Sequence, residues 1–140
     1  MWIDRLQSPI SQVAVSALRR RLRGVLLRPG AGDYDDACSI WNGMTTRRPS
    51  LVARIAEVAD VIACVDFARE QGLPLSVRGG GHNVAGTALC DGGLTIDMRR
   101  RRAVRVDPDR ATIRVDAGAC WGDVDRASQP FGLLSTATIR

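Results

Sequence analysis

Three consecutive glycines, Gly79-Gly80-Gly81, stand between the apolar run Leu75-Ser76-Val77 and the pair His82-Asn83. A strand gains nothing from such a run, because residues without a Cβ pack no side chain and lose the most backbone freedom on folding. What they allow is positive φ, close approach to a ligand, and successive N–H groups turned into one concavity that binds an anion. A ligand phosphate, or a diphosphate, explains that cost better than a tight turn does. His82 is the only histidine in the chain. Its imidazole is a nucleophile, a proton carrier or a metal ligand by chemistry, and no second histidine exists to complete a metal set. The plainer alternative is a loop histidine that hydrogen-bonds backbone.

Spacing separates this loop from two common phosphate-binding loops. A dinucleotide G-x-G-x-x-G loop or a P-loop opens directly into a helix whose N-terminus faces the phosphates. Here the stretch Asn83-Val84-Ala85-Gly86-Thr87-Ala88-Leu89-Cys90-Asp91-Gly92-Gly93 is too broken by glycine for a firm helix, and the strand-like Leu94-Thr95-Ile96-Asp97-Met98 follows. The P-loop lysine is missing as well, since all 20 basic residues are arginine. The order strand, glycine loop, short excursion, strand suits a sheet that grips a nucleotide by backbone.

The segments Val77-Arg78-Gly79-Gly80-Gly81-His82-Asn83-Val84-Ala85-Gly86 and Cys90-Asp91-Gly92-Gly93-Leu94-Thr95-Ile96-Asp97-Met98 resemble the FAD-binding domain of the berberine-bridge-enzyme-like oxidoreductases, within the vanillyl-alcohol-oxidase (PCMH-type) flavoproteins. Ser39-Ile40-Trp41-Asn42-Gly43-Met44 with Arg47-Arg48-Pro49, Asp60-Val61-Ile62-Ala63 with Phe67-Ala68-Arg69-Glu70, and Trp121-Gly122-Asp123-Val124-Asp125 extend the similarity over residues 30–134. The resemblance implies an α+β fold, with an N-terminal helix and lead-in over residues 1–29, a first lobe over 30–102, and a second lobe begun over 103–140. It implies FAD as cofactor, lying between the lobes, with Arg78, Gly79, Gly80, Gly81, His82, Asn83 and Gly86 as its contacts. It further implies a covalent bond from a His82 ring nitrogen to the 8α-methyl carbon of the flavin, and hydride transfer from a small organic substrate. Many such proteins carry a second, cysteinyl flavin link from a cysteine beyond residue 140; Cys120 does not stand in for it.

Relatives of this kind are much longer, and the segment 134–140 lacks the family's Pro-Gly-Gly-containing turn. The expectation is a truncated or frame-shifted N-terminal piece without the substrate domain, unable to turn over alone. The competing expectation is a non-catalytic remnant or a nucleotide-binding module acting with another chain. Two of the site residues also stay open. Arg78 either neutralises a phosphate or takes a surface or inter-lobe role, and Asn83 either donates to phosphate or caps local backbone. Asp91 and Asp97 read as turn and strand-end residues, and Trp121 as helix-core packing or pocket wall.

Element signals run along the whole chain. Ser11 to Arg23 reads as a helix with Val15, Leu18 and Leu22 on one face, Tyr34 to Trp41 as a short helix, and Val52 to Ile55 as a strand. Val58 to Gln71 is the clearest helix, with Val61, Val65 and Ala68 as its apolar face, Gly72 to end it and Pro74 to prevent its continuation. A right-handed crossover to a parallel strand at Leu75 follows from that order. Val104-Arg105-Val106 and Ile113-Arg114-Val115, joined by Pro108-Asp109-Arg110, read as a half-buried hairpin, and Trp121 to Gln129 as a helix stopped before Pro130.

A net charge of +5 with the runs Arg19-Arg20-Arg21-Leu22-Arg23 and Arg99-Arg100-Arg101-Arg102 raises nucleic acid as a partner. No aromatic residues are interleaved to stack on bases, and a solvated helix face and a charged turn account for the runs. No apolar run reaches the roughly 18 residues of a membrane span. Cys38, Cys64, Cys90 and Cys120 form no C-x-x-C pair, and no secretory pattern opens the chain, so cytoplasmic is the expected location. Cys90, near the glycine loop, is a candidate for the pocket lining.

Overall fold

A computed structural model describes residues 10–135. Helix α1 (Gln12–Arg21) leads into strand β1 (Val25–Leu27), then helix α2 (Tyr34–Cys38), strand β2 (Leu51–Arg54), helix α3 (Val58–Gln71), strand β3 (Leu75–Arg78) and strand β4 (Leu94–Asp97). The four strands form one sheet in the order β1-β2-β4-β3. β2, β4 and β3 run parallel, and β1 is antiparallel to β2. A separate antiparallel pair, β5 (Val104–Asp107) and β6 (Thr112–Val115), precedes helix α4 (Trp121–Ser128) and a 3₁₀ turn at Gln129–Phe131. This is the mixed α+β layout of an FAD-binding domain, with a first lobe around the four-stranded sheet and part of a second around the hairpin.

Register assigns the two faces of the large sheet, because side chains alternate along each strand. Leu51, Ala53, Leu94 and Ile96 share the face packed by Val15 and Leu18 of α1 and by Ala63, Cys64 and Phe67 of α3. Val52 faces the other way, into a smaller cluster with Tyr34, Ala37 and Cys38 of α2 and with Leu89. The sheet is therefore covered on both faces, and its central strands β2 and β4 are buried along nearly their whole length.

Helix α3 begins where Asp60 collects four backbone donors: Arg23 N at 2.8 Å, Gly24 N at 3.1 Å, Ala56 N at 2.7 Å and Glu57 N at 3.3 Å. Burial alone would raise this carboxyl's pKa, and the four N–H donors outweigh it, so the value falls below the ordinary one. The helix ends at Gly72 in the left-handed region (φ 63°), with Leu73 N donating to Ala68 O. Its buried face is Asp60, Ala63, Cys64, Phe67 and Ala68. Val65, assigned to that face by spacing, is instead 41% exposed; α3 turns Ala63, Cys64, Phe67 and Ala68 onto Val15 and Leu18 of α1 and onto the sheet.

Strand β3 departs from simple hydrophobic alternation. Ser76 and Arg78 are buried, while Leu75 and Val77 are partly exposed. The polar residues face inward because they find partners there: the Ser76 and Thr95 hydroxyls are 2.8 Å apart across β3 and β4. The last segment of the chain, 136–140, and the start of the N-terminal lead-in, 1–9, lie outside the described residues.

Candidate cofactor site

The glycine loop leaves the carboxyl end of β3, the end of a parallel sheet outside which ligands of open α/β folds bind. Its neighbour is the segment after α2. Trp41 N donates to Gly81 O at 3.0 Å, the Asn42 side-chain amide donates to Val84 O at 2.7 Å, and Arg47 Nη1 donates to Gly86 O and Leu89 O. Residues 41–47 thus hold the outer wall of the loop at several points.

Each glycine in the run has a different reason. A Cβ on Gly79 would stand 2.5 Å from Ala117 O, just past the end of β6, so the second lobe approaches the loop by backbone. One on Gly80 would stand 3.0 Å from His82 Cδ2 and displace the imidazole. Gly81 has φ +78°, which a side chain resists, and its Cβ would also crowd Ile40. Among the described residues, none of the N–H groups of Gly79, Gly80, Gly81, His82 and Asn83 donates a hydrogen bond within the protein. Gly80, His82 and Asn83 face solvent and only Gly81 is buried, so these N–H groups are open to water or to an anion. The imidazole of His82 is exposed beside them.

Arg78 is buried at the end of β3. Only 4% exposed, it donates from Nη1 to Asp36 O at 3.2 Å and to Ala37 O, and from Nη2 to Ser39 O at 2.6 Å. These carbonyls are at the C-terminal end of α2, the end that attracts cations. The surface position expected for Arg78 is not what the fold uses. Burial, followed by the charge of Arg99, lowers its pKa from the ordinary guanidinium value. Asn83 uses its Oδ1 locally, accepting from Thr87 N at 3.1 Å and Thr87 Oγ1 at 3.0 Å. Gly86, at φ +69°, packs against Thr45.

Register aligns Arg54, Asp97 and Arg78 across the carboxyl ends of β2, β4 and β3. Asp97 is fully buried and takes Arg99 Nε at 3.1 Å and Nη2 at 2.9 Å, with Arg54 Nε at 3.5 Å. Burial would raise its pKa, and the Arg99 hydrogen bonds and charge overcome that, holding it below the ordinary carboxylate value. Arg54 and Arg99 also pair with Asp36. A cleft of about 260 Å³ opens there, lined by Asp36, Arg54, Asp97, Arg99 and Arg100.

Other sequence expectations fall out as follows. Cys90 lies against Pro74 O and Leu94 O, at the amino ends of β3 and β4 and so at the far end from the glycine loop. Trp121 is 52% exposed rather than packed in a core. Asp91 accepts from Arg48 N at 2.7 Å and anchors a turn. All four cysteines are free thiols. Three of the four arginines in the second basic run are committed to carboxylates: Arg99 to Asp97, Arg101 to Asp116, Arg102 to Asp123. Among the described residues no group of His, Cys, Asp and Glu is placed to hold a metal ion, and no helix is long and apolar enough to cross a membrane.

Comparison with known proteins agrees with this geometry. The family described as FAD binding domain matches residues 49–138. The chain is 36% identical over 114 residues to (R)-6-hydroxynicotine oxidase of Paenarthrobacter nicotinovorans, covering 81% of this chain and 25% of the relative. The crystal structure of 6-hydroxy-D-nicotine oxidase from Arthrobacter nicotinovorans superposes with a TM-score of 0.74 at 32% identity, over 90% of this chain and 26% of that one. BBE-like 1 of Physcomitrella patens gives 0.66 at 25% identity, over 75% and 23%. The chain spans about a quarter of the length of these relatives.

Proposed function

This chain belongs to the FAD binding domain family of FAD-linked oxidoreductases, and from that premise we propose that the 79–83 cradle holds the FAD diphosphate while His82 bonds covalently to the flavin. The observation that carries this reading is the run of five unpartnered N–H groups ending at the exposed imidazole. A neutral ring nitrogen is the nucleophile such a link needs, and the free backbone donors supply the electrostatics for two phosphates without a lysine.

A lobe boundary near residue 102 is supported by the gap between β4, which ends at Asp97, and β5, which starts at Val104. The cofactor then lies between residues 30–102 and the part of the second lobe that begins at 103, where Gly79 approaches Ala117. Bound flavin supplies a two-electron acceptor for hydride from a small organic substrate. This chain's own share is to bind the diphosphate, orient the ring system through His82, and close one side of the site with residues 41–47. The substrate-facing residues belong to the three quarters of the relatives' length that this chain does not span.

Acid precipitation of protein loaded with FAD tests the covalent link. Colour is retained in the pellet of the unsubstituted chain and lost with His82→Ala. Colour released equally from both would leave FAD bound without a bond to His82.

A further inference from the structure

We infer that Arg78 is a positioning residue for the cofactor loop: its buried guanidinium ties the start of the loop to the end of α2, and that tie sets the cradle's geometry. The inference rests on the cradle reading above and assigns Arg78 a different role from a phosphate contact.

Two short segments lie side by side and are joined at both ends. At one end the Arg78 side chain grips Asp36 O, Ala37 O and Ser39 O. At the other, Trp41 N donates to Gly81 O at 3.0 Å. Residues 78–81 and 39–41 therefore form a closed ring in which neither segment can shift alone. Ile40 fills the interior, 3.3 Å from where a Cβ on Gly81 would stand, and Arg78 Nε lies 3.4 Å from the same point. That Nε is buried and has no hydrogen-bond partner, so the guanidinium is held by its two terminal nitrogens, and its Nε side faces the space that a side chain on Gly81 would enter.

The charge is also spoken for. Three carbonyls at a helix C-terminus accept from it, and Asp97 is its register neighbour on β4. A buried guanidinium so occupied cannot reach outward to a diphosphate, which leaves the phosphates to backbone N–H groups. Arginine suits the task because its planar fork meets several carbonyls at once, where lysine offers a single point charge.

Arg78→Met and Arg78→Lys test the assignment with two readouts, amide exchange without cofactor and FAD affinity by quenching of flavin fluorescence. Arg78→Met is expected to speed exchange of the Trp41 amide at least tenfold while α3 and β4 amides keep their protection, and to weaken FAD binding more than tenfold. Arg78→Lys recovers part of both. Unchanged Trp41 exchange and FAD affinity in Arg78→Met would overturn the inference, and so would a uniform loss of protection, the mark of a general stability role. If Arg78→Met does not fold, Arg78→Lys decides by the same criteria. Local loosening at Trp41 in a chain that never bound FAD would sink the cofactor reading and leave the positioning role standing.

Discussion

The Trp41 amide donates to the Gly81 carbonyl at 3.0 Å, and this one bond joins the segment after α2 to the only glycine of the run with positive φ. Because the carbonyl of Gly81 is turned toward Trp41, the peptide that follows points the His82 N–H away from that neighbour. The cradle is thus shaped from outside by residues 40 positions earlier in the chain, and its donors remain available to a ligand.

Replacing Gly81 by alanine should damage both stability and binding. A Cβ at φ +78° costs about 1 kcal/mol from backbone conformation alone, and contact with Ile40 adds to it. Urea denaturation should show a lowered midpoint, and FAD affinity should fall more than the stability loss explains, since the N–H of the cradle itself is displaced.

The opposite sign is expected at Ala111, the one non-glycine residue with positive φ among the described residues (φ 49°), in the turn between β5 and β6. Ala111→Gly relieves a left-handed alanine, worth about 1 kcal/mol before the entropy cost of glycine is subtracted. Thermal unfolding should show an unchanged or raised midpoint, where glycine elsewhere in a hairpin lowers it.

Asp60→Asn tests the junction of α1, β1 and α3. The carboxylate accepts from four backbone N–H groups; an amide offers one acceptor oxygen and turns an NH2 toward the remaining donors. A loss of about 2–3 kcal/mol is expected for breaking charge-assisted bonds in a buried place, read from the denaturation midpoint.

Acid should act through Asp60 and Asp97, whose carboxyls are both held below their ordinary values in the folded chain. A group with its pKa lowered on folding adds stability that is present above the unfolded value, about 4, and is lost as pH falls through the lower folded value. Stability should therefore be flat from pH 7 to 5 and decline below about 4. Asp97→Asn should be less stable at pH 7 and show a shallower decline.

Thiol labelling should separate the cysteines by burial. Cys64 is fully buried, and burial with the nearby Asp60 charge pushes its thiol up to about 12, so it should resist alkylation until the chain unfolds. Cys120 is exposed and should react first. Equal rates would contradict the packing of α3.

Much of this architecture is legible from local signals. Gly72 and Pro74 mark the end of α3 and the start of β3 by backbone chemistry alone, and the Val-Arg-Val and Ile-Arg-Val runs mark the hairpin. The glycine run stands out in the sequence as a backbone device, and the fold gives each of its glycines a separate contact or conformational reason. What spacing cannot reveal is tertiary partnership. Arg78 reads as a phosphate contact or as a surface or inter-lobe residue, and the carbonyls at the end of α2 that hold it come from a distant part of the chain; Val65 reads as core, and the packing of α3 leaves it 41% exposed. Asn42 and Arg47 read only as part of the family resemblance, and their hydrogen bonds to Val84 O, Gly86 O and Leu89 O come from the tertiary fold. An Asn-Gly turn at 42–43 beside two arginines was the available hint.

The central claim is that the amides of residues 79–83 bind a diphosphate. Titrating the 15N-labelled chain with ADP and following amide resonances tests it directly. The account predicts saturable shifts concentrated at Gly79, Gly80, Gly81, His82 and Asn83, abolished in Gly81→Val. Shifts absent from these five amides, or centred on the cleft at Arg54, Arg99 and Arg100, would contradict it.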